Sequence, residues 1–250
     1  MSFTESRIAL RMDDVGASSK RYEIYSKRWR GLGNFLFLKQ LPYFRAWGPY
    51  DELQADDWDA IFHMLNAHGA KLTVAVTAAW VEGDGSLVPY PEKWPQAFRA
   101  LKRGAEAGLV RIACHGLTHC VLQDKAFLPR AFSSNRSSHR EFWDWLPAET
   151  HRGHLNCAKR ILEDAFETPV TTLVPPGTVF SDASVVAARD LGFTLVNCQT
   201  PQRAETGLRI VGNDEVAAFH DREPVLYGLE WLEALLRTHA GRKFVFIDEL

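Results

Sequence analysis

Long apolar runs are missing from this sequence. No stretch approaches the roughly 18 residues of a membrane span, so no membrane span is expected. A basic-then-apolar leader is missing from the opening MSFTESRIALRMDD, and the cytoplasm is the expected location. Cysteine is scarce. Cys114, Cys120, Cys157 and Cys198 have no framework spacing, and a chain of this length can bury a core without disulfide staples. They read as free thiols in a reducing compartment. An excess of positive charge is missing too: 29 Lys and Arg oppose 31 Asp and Glu, for a net charge of -2. That balance argues against a protein that lives on nucleic-acid phosphates. Repeats, linkers and low-complexity segments are also absent, so a single domain over residues 1–250 is expected.

What is present is an alternation of strand-like and helix-like segments. Ile8–Met12 reads as a strand ending at Asp13, Asp14 and Gly16, and Asn34–Leu38 as a weaker one. Residues 40–54 read as an aromatic loop. Asp56–His68 has helical spacing, with Trp58, Ile61, Phe62 and Leu65 on one face. Lys71–Thr77 alternates as a strand, Gly83–Pro91 reads as a loop, and Trp94–Ala107 as a helix. The strand Leu109–Cys114 opens directly into His115 and Gly116. Residues 121–140 form a long excursion, followed by a helix from about Pro147 to Phe166. A strand at Thr171–Val174 stops at Pro175, Pro176 and Gly177. Ser181 and Asp182 can cap a helix over Ala183–Leu191. Strands at Phe193–Asn197 and Glu215–Phe219, a helix over Tyr227–Thr238 and a strand at Lys243–Ile247 complete the chain. Strands separated by helices imply parallel βα units, and seven or eight of them suit an imperfect α/β barrel. Asp13-Asp14, His115, Pro176-Gly177 and His220 all follow strand ends, and in parallel α/β folds that rim gathers functional groups.

His115 and His119 are four residues apart. On a helical turn, both imidazoles can converge on one ion. A surface pair of histidines is the competing reading. Two nitrogens leave room for a carboxylate and water, a donor set that suits zinc in a hydrolytic site. Asp13 and Asp14 supply carboxylates at a strand end, where capping the turn at Gly16–Ser18 is the alternative use. Neighbours on an extended chain point in different directions, so one can bind metal while the other handles protons. His220, at the end of an apolar strand, titrates in the right range to protonate a leaving group, or it is an ordinary strand-end histidine. His151 and His154, near Glu149, read as a polar helix face, with a second metal site as the competing use.

The segments RMDDVG at 11–16, HGLTH at 115–119, VPPGT at 174–178 and AFHD at 218–221, with the ending RKFVFIDEL at 242–250, resemble NodB-type polysaccharide deacetylases of carbohydrate esterase family 4. The resemblance is to divergent bacterial members, including those of O-antigen assembly. It implies a distorted (β/α) barrel of about seven strands. It also implies a single catalytic domain that removes an N-acetyl group from an amino sugar in a polysaccharide or its precursor. By this resemblance Asp13 is the catalytic base and His220 the general acid. Asp14, His115 and His119 hold one divalent metal ion, with zinc the expected identity. Pro175, Pro176 and Gly177 line the cleft. Trp47 and Trp80 are the chosen candidates for packing against a sugar, from a set that includes Tyr43, Tyr90, Trp143 and Trp145.

The sequence departs from the family at Val174, where an arginine ordinarily orients the catalytic aspartate. Arg11 and Arg111 are the candidate replacements. That departure keeps open a carbohydrate-binding relative with an impaired site, and the same metal triad could also serve a metal-dependent hydrolase of a different small amide.

Overall fold

The computed structural model describes residues 6–22, 50–122, 139–198, 207–212 and 214–250. The expected strand Asn34–Leu38, together with Tyr43, Trp47 and most of the 121–140 excursion, lies outside them.

Strand β1 (Arg7–Val15) is buried from Ile8 onward, as expected of a central strand covered on both faces. It pairs with three others, all parallel. Its register partners are β10 (Lys243–Val245) along Arg7–Ala9, β9 (Val216–His220) along Ala9–Asp13, and β2 (Leu72–Val76) from Leu10 to Val15. The sheet continues through β5 (Val110–Cys114), β6 (Thr172–Leu173), β7 (Leu195–Asn197) and β8 (Arg209–Val211), again all parallel. The path β10-β1-β2-β5-β6-β7-β8 has seven strands, with β9 attached to β1, and it forms a curled, open half-barrel. Because the strands are parallel, their C-terminal ends share one rim, and Asp13, Asp14, His115, Val174 and His220 gather there.

Helices cover the sheet. In α2 (Ala55–Ala67) the buried residues are Trp58, Ile61, Phe62 and Leu65, the face that the 3.6-residue period singles out. It packs on α4 (Pro95–Glu106) so closely that a Cβ at Gly104 would overlap the Phe62 ring. Helix α5 (Ala148–Phe166) lies against α6 (Asp182–Asp190), and the Ser181 side chain caps α6 by accepting from Ser184 N. No described helix is long and apolar enough to cross a membrane.

Several expectations are corrected. The segment read as a loop at 83–91 holds β4 (Leu87–Pro89), which forms an antiparallel hairpin with β3 (Ala79–Val81), and the start of helix α3 (Tyr90–Lys93). A helix that was not expected, α7 (Arg222–Tyr227), precedes the helix expected over Tyr227–Thr238, which is α8 (Leu229–Thr238). The two are separated at Gly228, whose φ of 82° leaves the helical region. The last strand ends at Val245 and passes into a 3-10 turn. Strand β8 was not expected, because three residues are too few to show a period.

Candidate metal centre

The end of β1 is irregular. Its register with β2 shifts between Met12 and Val15, and Asp14 adopts a left-handed backbone, φ 70°. Such an irregularity re-aims a side chain at a strand end. Asp13 stays in register with His220 of β9, whereas Asp14 turns toward the loop after β5.

That loop is not the helical turn that the His115–His119 spacing suggests; residues 115–120 are irregular. Gly116 takes φ 82° and His119 φ 62°. The two imidazoles nevertheless meet, with ring centroids 4.9 Å apart. His115 Nε2 is 3.3 Å and His119 Nε2 3.0 Å from the same atom, Asp14 Oδ1. The opposite ring nitrogens are fixed: His115 Nδ1 bonds the carbonyl oxygen of Val174 at 2.7 Å, and His119 Nδ1 the Ser19 hydroxyl at 2.8 Å. Holding Nδ1 leaves Nε2 as the inward-facing donor, the usual arrangement of metal-ligating histidine. Ser19 belongs to the four-residue helix α1 (Ser19–Tyr22).

The donor set fits a divalent cation. The three ligand atoms lie within 4.8 Å of one another, and theirs is the one such group among the described residues. Two ligands on tetrahedral zinc, each about 2.0–2.1 Å from the ion, stand about 3.3 Å apart, close to the spacing here. Burial opposes ionisation of Asp14, but the charges of His119 and His220 and hydrogen bonds from His115 and His119 outweigh it. The carboxyl is held well below the usual carboxylate range. His151 and His154 do not join a metal group. His151 stacks on Phe142, and His154 Nδ1 meets Glu141 Oε1 at 2.5 Å.

Asp13 belongs to Arg11. The guanidinium donates from Nε to Oδ1 and from Nη2 to Oδ2, and its Nη1 donates to Asn197 of β7. Of the two candidate arginines, Arg11 therefore contacts Asp13, and Arg111 does not. Arg111 lies near the start of β5, away from the rim, and pairs with Asp248 and Glu249.

A second buried network was not legible in the sequence. Lys20 Nζ donates to Glu52, to Asp221 Oδ2 at 2.6 Å and to the carbonyl of Asp14 at 3.2 Å. Glu52 accepts from Gly16 N, and Asp221 from the Tyr50 hydroxyl. Lys20, Glu52 and Asp221 are all fully buried. They tie the ends of β1 and β9 to residues 50–52. Nothing in the spacing of these residues marks them as partners.

His220 is half-exposed, its side chain 38% accessible. Its Nδ1 lies 3.2 Å from Arg222 Nη2 and 3.5 Å from Glu223 Oε2. Burial works against its proton, but the Asp14 charge and the Glu223 hydrogen bond prevail, and its pKa is raised to about 9.

Pro175 and Pro176 are buried, and Gly177 is exposed. The Arg140 side chain lies where a Gly177 Cβ would point. Trp80 is 2% exposed. Its ring lies beneath Arg21 and Lys93 and edge-on to Trp94. The ring is therefore covered by its own neighbours.

Residues 46–196, more than half the chain, match the model of the polysaccharide deacetylase family. That span contains His115 and His119; Asp13, Asp14 and His220 flank it. No protein of curated function matches the sequence. Among solved structures, a CE4-family pseudoenzyme from Bacillus anthracis is similar at 15% identity and a TM-score of 0.54, over 99% of this chain and 66% of that one. This chain thus spans about two thirds of that protein's length. The CE4 domain of a multidomain xylanase from the hindgut metagenome of Trinervitermes trinervoides is similar at 14% identity and 0.51, over 98% and 89%. A 4-alpha-glucanotransferase from Thermococcus litoralis reaches 0.52 at 12% identity, over 97% and 37%. Likenesses so remote describe the fold, which serves more than one chemistry. The family match stands beside a half-barrel whose rim gathers an aspartate and two histidines, and the chain belongs to the polysaccharide deacetylase family.

Proposed function

We propose that this protein is a metal-dependent deacetylase that hydrolyses the N-acetyl amide of an amino sugar in a polysaccharide or its precursor. The observation that supports it best is the convergence of His115 Nε2 and His119 Nε2 on Asp14 Oδ1, with Asp13 and His220 in register beside them. A divalent cation, zinc in this reading, would be held by Asp14, His115 and His119 and would supply Lewis acidity toward water and the amide carbonyl.

Asp13 accepts the proton as the water oxygen bonds to the carbonyl carbon. Arg11 orients that carboxylate, and a backbone N–H near Gly177 is the proposed donor to the developing oxyanion. His220 then delivers a proton to nitrogen as the C–N bond breaks, because an amide nitrogen is a poor leaving group without one. The products are a free amine and a carboxylate, and the water proton replaces the one that His220 gave up. Trp47 remains a proposed sugar contact.

A second reading is a carbohydrate-binding relative without turnover. It rests on Arg11, which engages both oxygens of Asp13, so an incoming water must share an oxygen already bonded. Acetate release from a panel of N-acetylated sugars, with the zinc-loaded protein, tests the proposal. Turnover that disappears with Asp13→Asn supports deacetylation. Zinc binding with no release from any amino sugar favours the second reading, and release from non-sugar amides alone would move the substrate class.

A further inference from the structure

We infer that Glu141 is a positioning residue for the metal centre: its buried carboxylate holds the His115–His119 loop in the shape that aims His119. The inference rests on the reading of Asp14, His115 and His119 as metal ligands.

Three successive backbone amides of the loop point at this one side chain. Leu117 N donates to Oε1 at 3.0 Å, Thr118 N to Oε2 at 3.2 Å and His119 N to Oε2 at 3.0 Å. Convergent amides of this kind form a cradle for an anion, and here the chain fills it with its own carboxylate. Glu141 is 2% exposed, so the carboxylate is withdrawn from water and its bonds to the amides are correspondingly strong. The loop is shaped around it, because a Cβ on Gly116 would overlap the Glu141 carboxylate.

The loop needs a brace. His119 is a non-glycine residue in the left-handed region, a conformation that L residues disfavour and that persists when the surroundings over-determine it. The bond from His119 N to Glu141 acts at that residue. Glu141 is itself anchored. Phe142, the next residue, is fully buried and stacks on His151 of α5. One turn along the same helix, His154 Nδ1 meets Oε1. A continuous line therefore runs from α5 through Glu141 to the amide of a metal ligand. Ser19 orients the His119 ring from its other end.

The test uses the full chain carrying Glu141→Gln and Glu141→Ala, with zinc as the probe. Zinc affinity is measured by chelator competition, amide exchange at 117–119 by mass spectrometry, and metal-free stability by thermal unfolding. Glu141→Gln keeps the side chain's shape but replaces one acceptor oxygen with a donor that faces amide N–H groups. It should lose zinc affinity by about 10–100-fold, the usual effect of breaking a ligand's supporting hydrogen bonds, and its 117–119 amides should exchange faster. Where Glu141→Ala folds, added formate should occupy the cradle and restore part of the affinity. Wild-type zinc affinity in Glu141→Gln overturns the inference, and so does a fall in metal-free stability alone. Failure of the wild-type protein to bind zinc overturns the metal centre itself, and Glu141's role with it.

Discussion

Arg11 and Asp13 lie two residues apart on β1, so their side chains leave the strand on the same side. The guanidinium grips both carboxylate oxygens, at 2.8 and 2.7 Å. In the proposed reaction this strand neighbour would supply the orientation that the resemblance assigns to position 174, and Asn197 contacts the arginine from β7. Lysine keeps the charge but cannot make the two-pronged contact. Arg11→Lys should therefore let Asp13 drift, lowering kcat by roughly 10²-fold and leaving zinc affinity unchanged. Steady-state kinetics beside a zinc titration checks this; a matching loss of zinc would show that Arg11 supports the ligands instead.

The two aspartates should separate cleanly. Asp14 Oδ1 faces both imidazoles, whereas Asp13 faces Arg11. Asp14→Ala should abolish tight zinc binding. Asp13→Asn should bind zinc as the wild type does and lose turnover by about 10²–10⁴-fold, the usual value of general base catalysis. Zinc content by elemental analysis decides it, and equal loss in both proteins would mean that the pair acts as one ligand unit.

The parts of this architecture that were legible in sequence are those that repeat or punctuate. The period of Trp58, Ile61, Phe62 and Leu65 located α2, and apolar spacing located α8 to within two residues. The rim residues stood out because polar groups directly follow apolar strands. His115 and His119 were brought together correctly for an incorrect local reason: a loop with two left-handed residues joins them, and not a helical turn. Lys20, Glu52, Asp221 and Glu141 were opaque as partners, because each meets its counterpart across more than 20 residues of chain. The burial of Trp80 was not legible either, because residue type does not fix exposure.

Lys20 bears on stability and its pH dependence. Lys20→Met would strand two buried carboxylates and should cost about 3–5 kcal/mol in urea unfolding. Glu52 titrates above the ordinary carboxylate range: burial raises it, Lys20 opposes, and Asp221 raises it further. A carboxyl whose folded pKa exceeds its unfolded value stabilises the fold fully below the unfolded value of about 4.3. That contribution is lost as pH rises through the folded value. Glu52→Gln, which stays neutral, should remove this loss, giving a flatter fall of unfolding free energy between acid and neutral pH. Parallel pH profiles for the two proteins would rule out Glu52 as the titrating group.

His220 offers the most demanding prediction, because its charge depends on what Asp14 holds. In the metal-free protein burial disfavours the imidazolium, yet the Asp14 carboxylate and the Glu223 hydrogen bond raise its pKa to about 9. The sign of the linkage follows: this proton stabilises the metal-free fold fully below about pH 6.5, the unfolded value, and the contribution is lost as pH rises through about 9. A dication bound at Asp14 offsets the charge that attracts the proton, so zinc should move the His220 pKa down, toward the range where a general acid works near neutrality. Titration of labelled histidine by NMR, with and without zinc, reads the shift directly, and Asp14→Ala should lower the metal-free value in the same direction. The catalytic consequence is separable from the electrostatic one. His220→Asn should cost about 10²–10⁴ in kcat on an N-acetyl sugar and much less on an activated ester, whose leaving group departs without a proton. Equal losses on both substrates would move the acid role to another rim residue. A His220 pKa that ignores zinc would mean that the ion does not sit at Asp14.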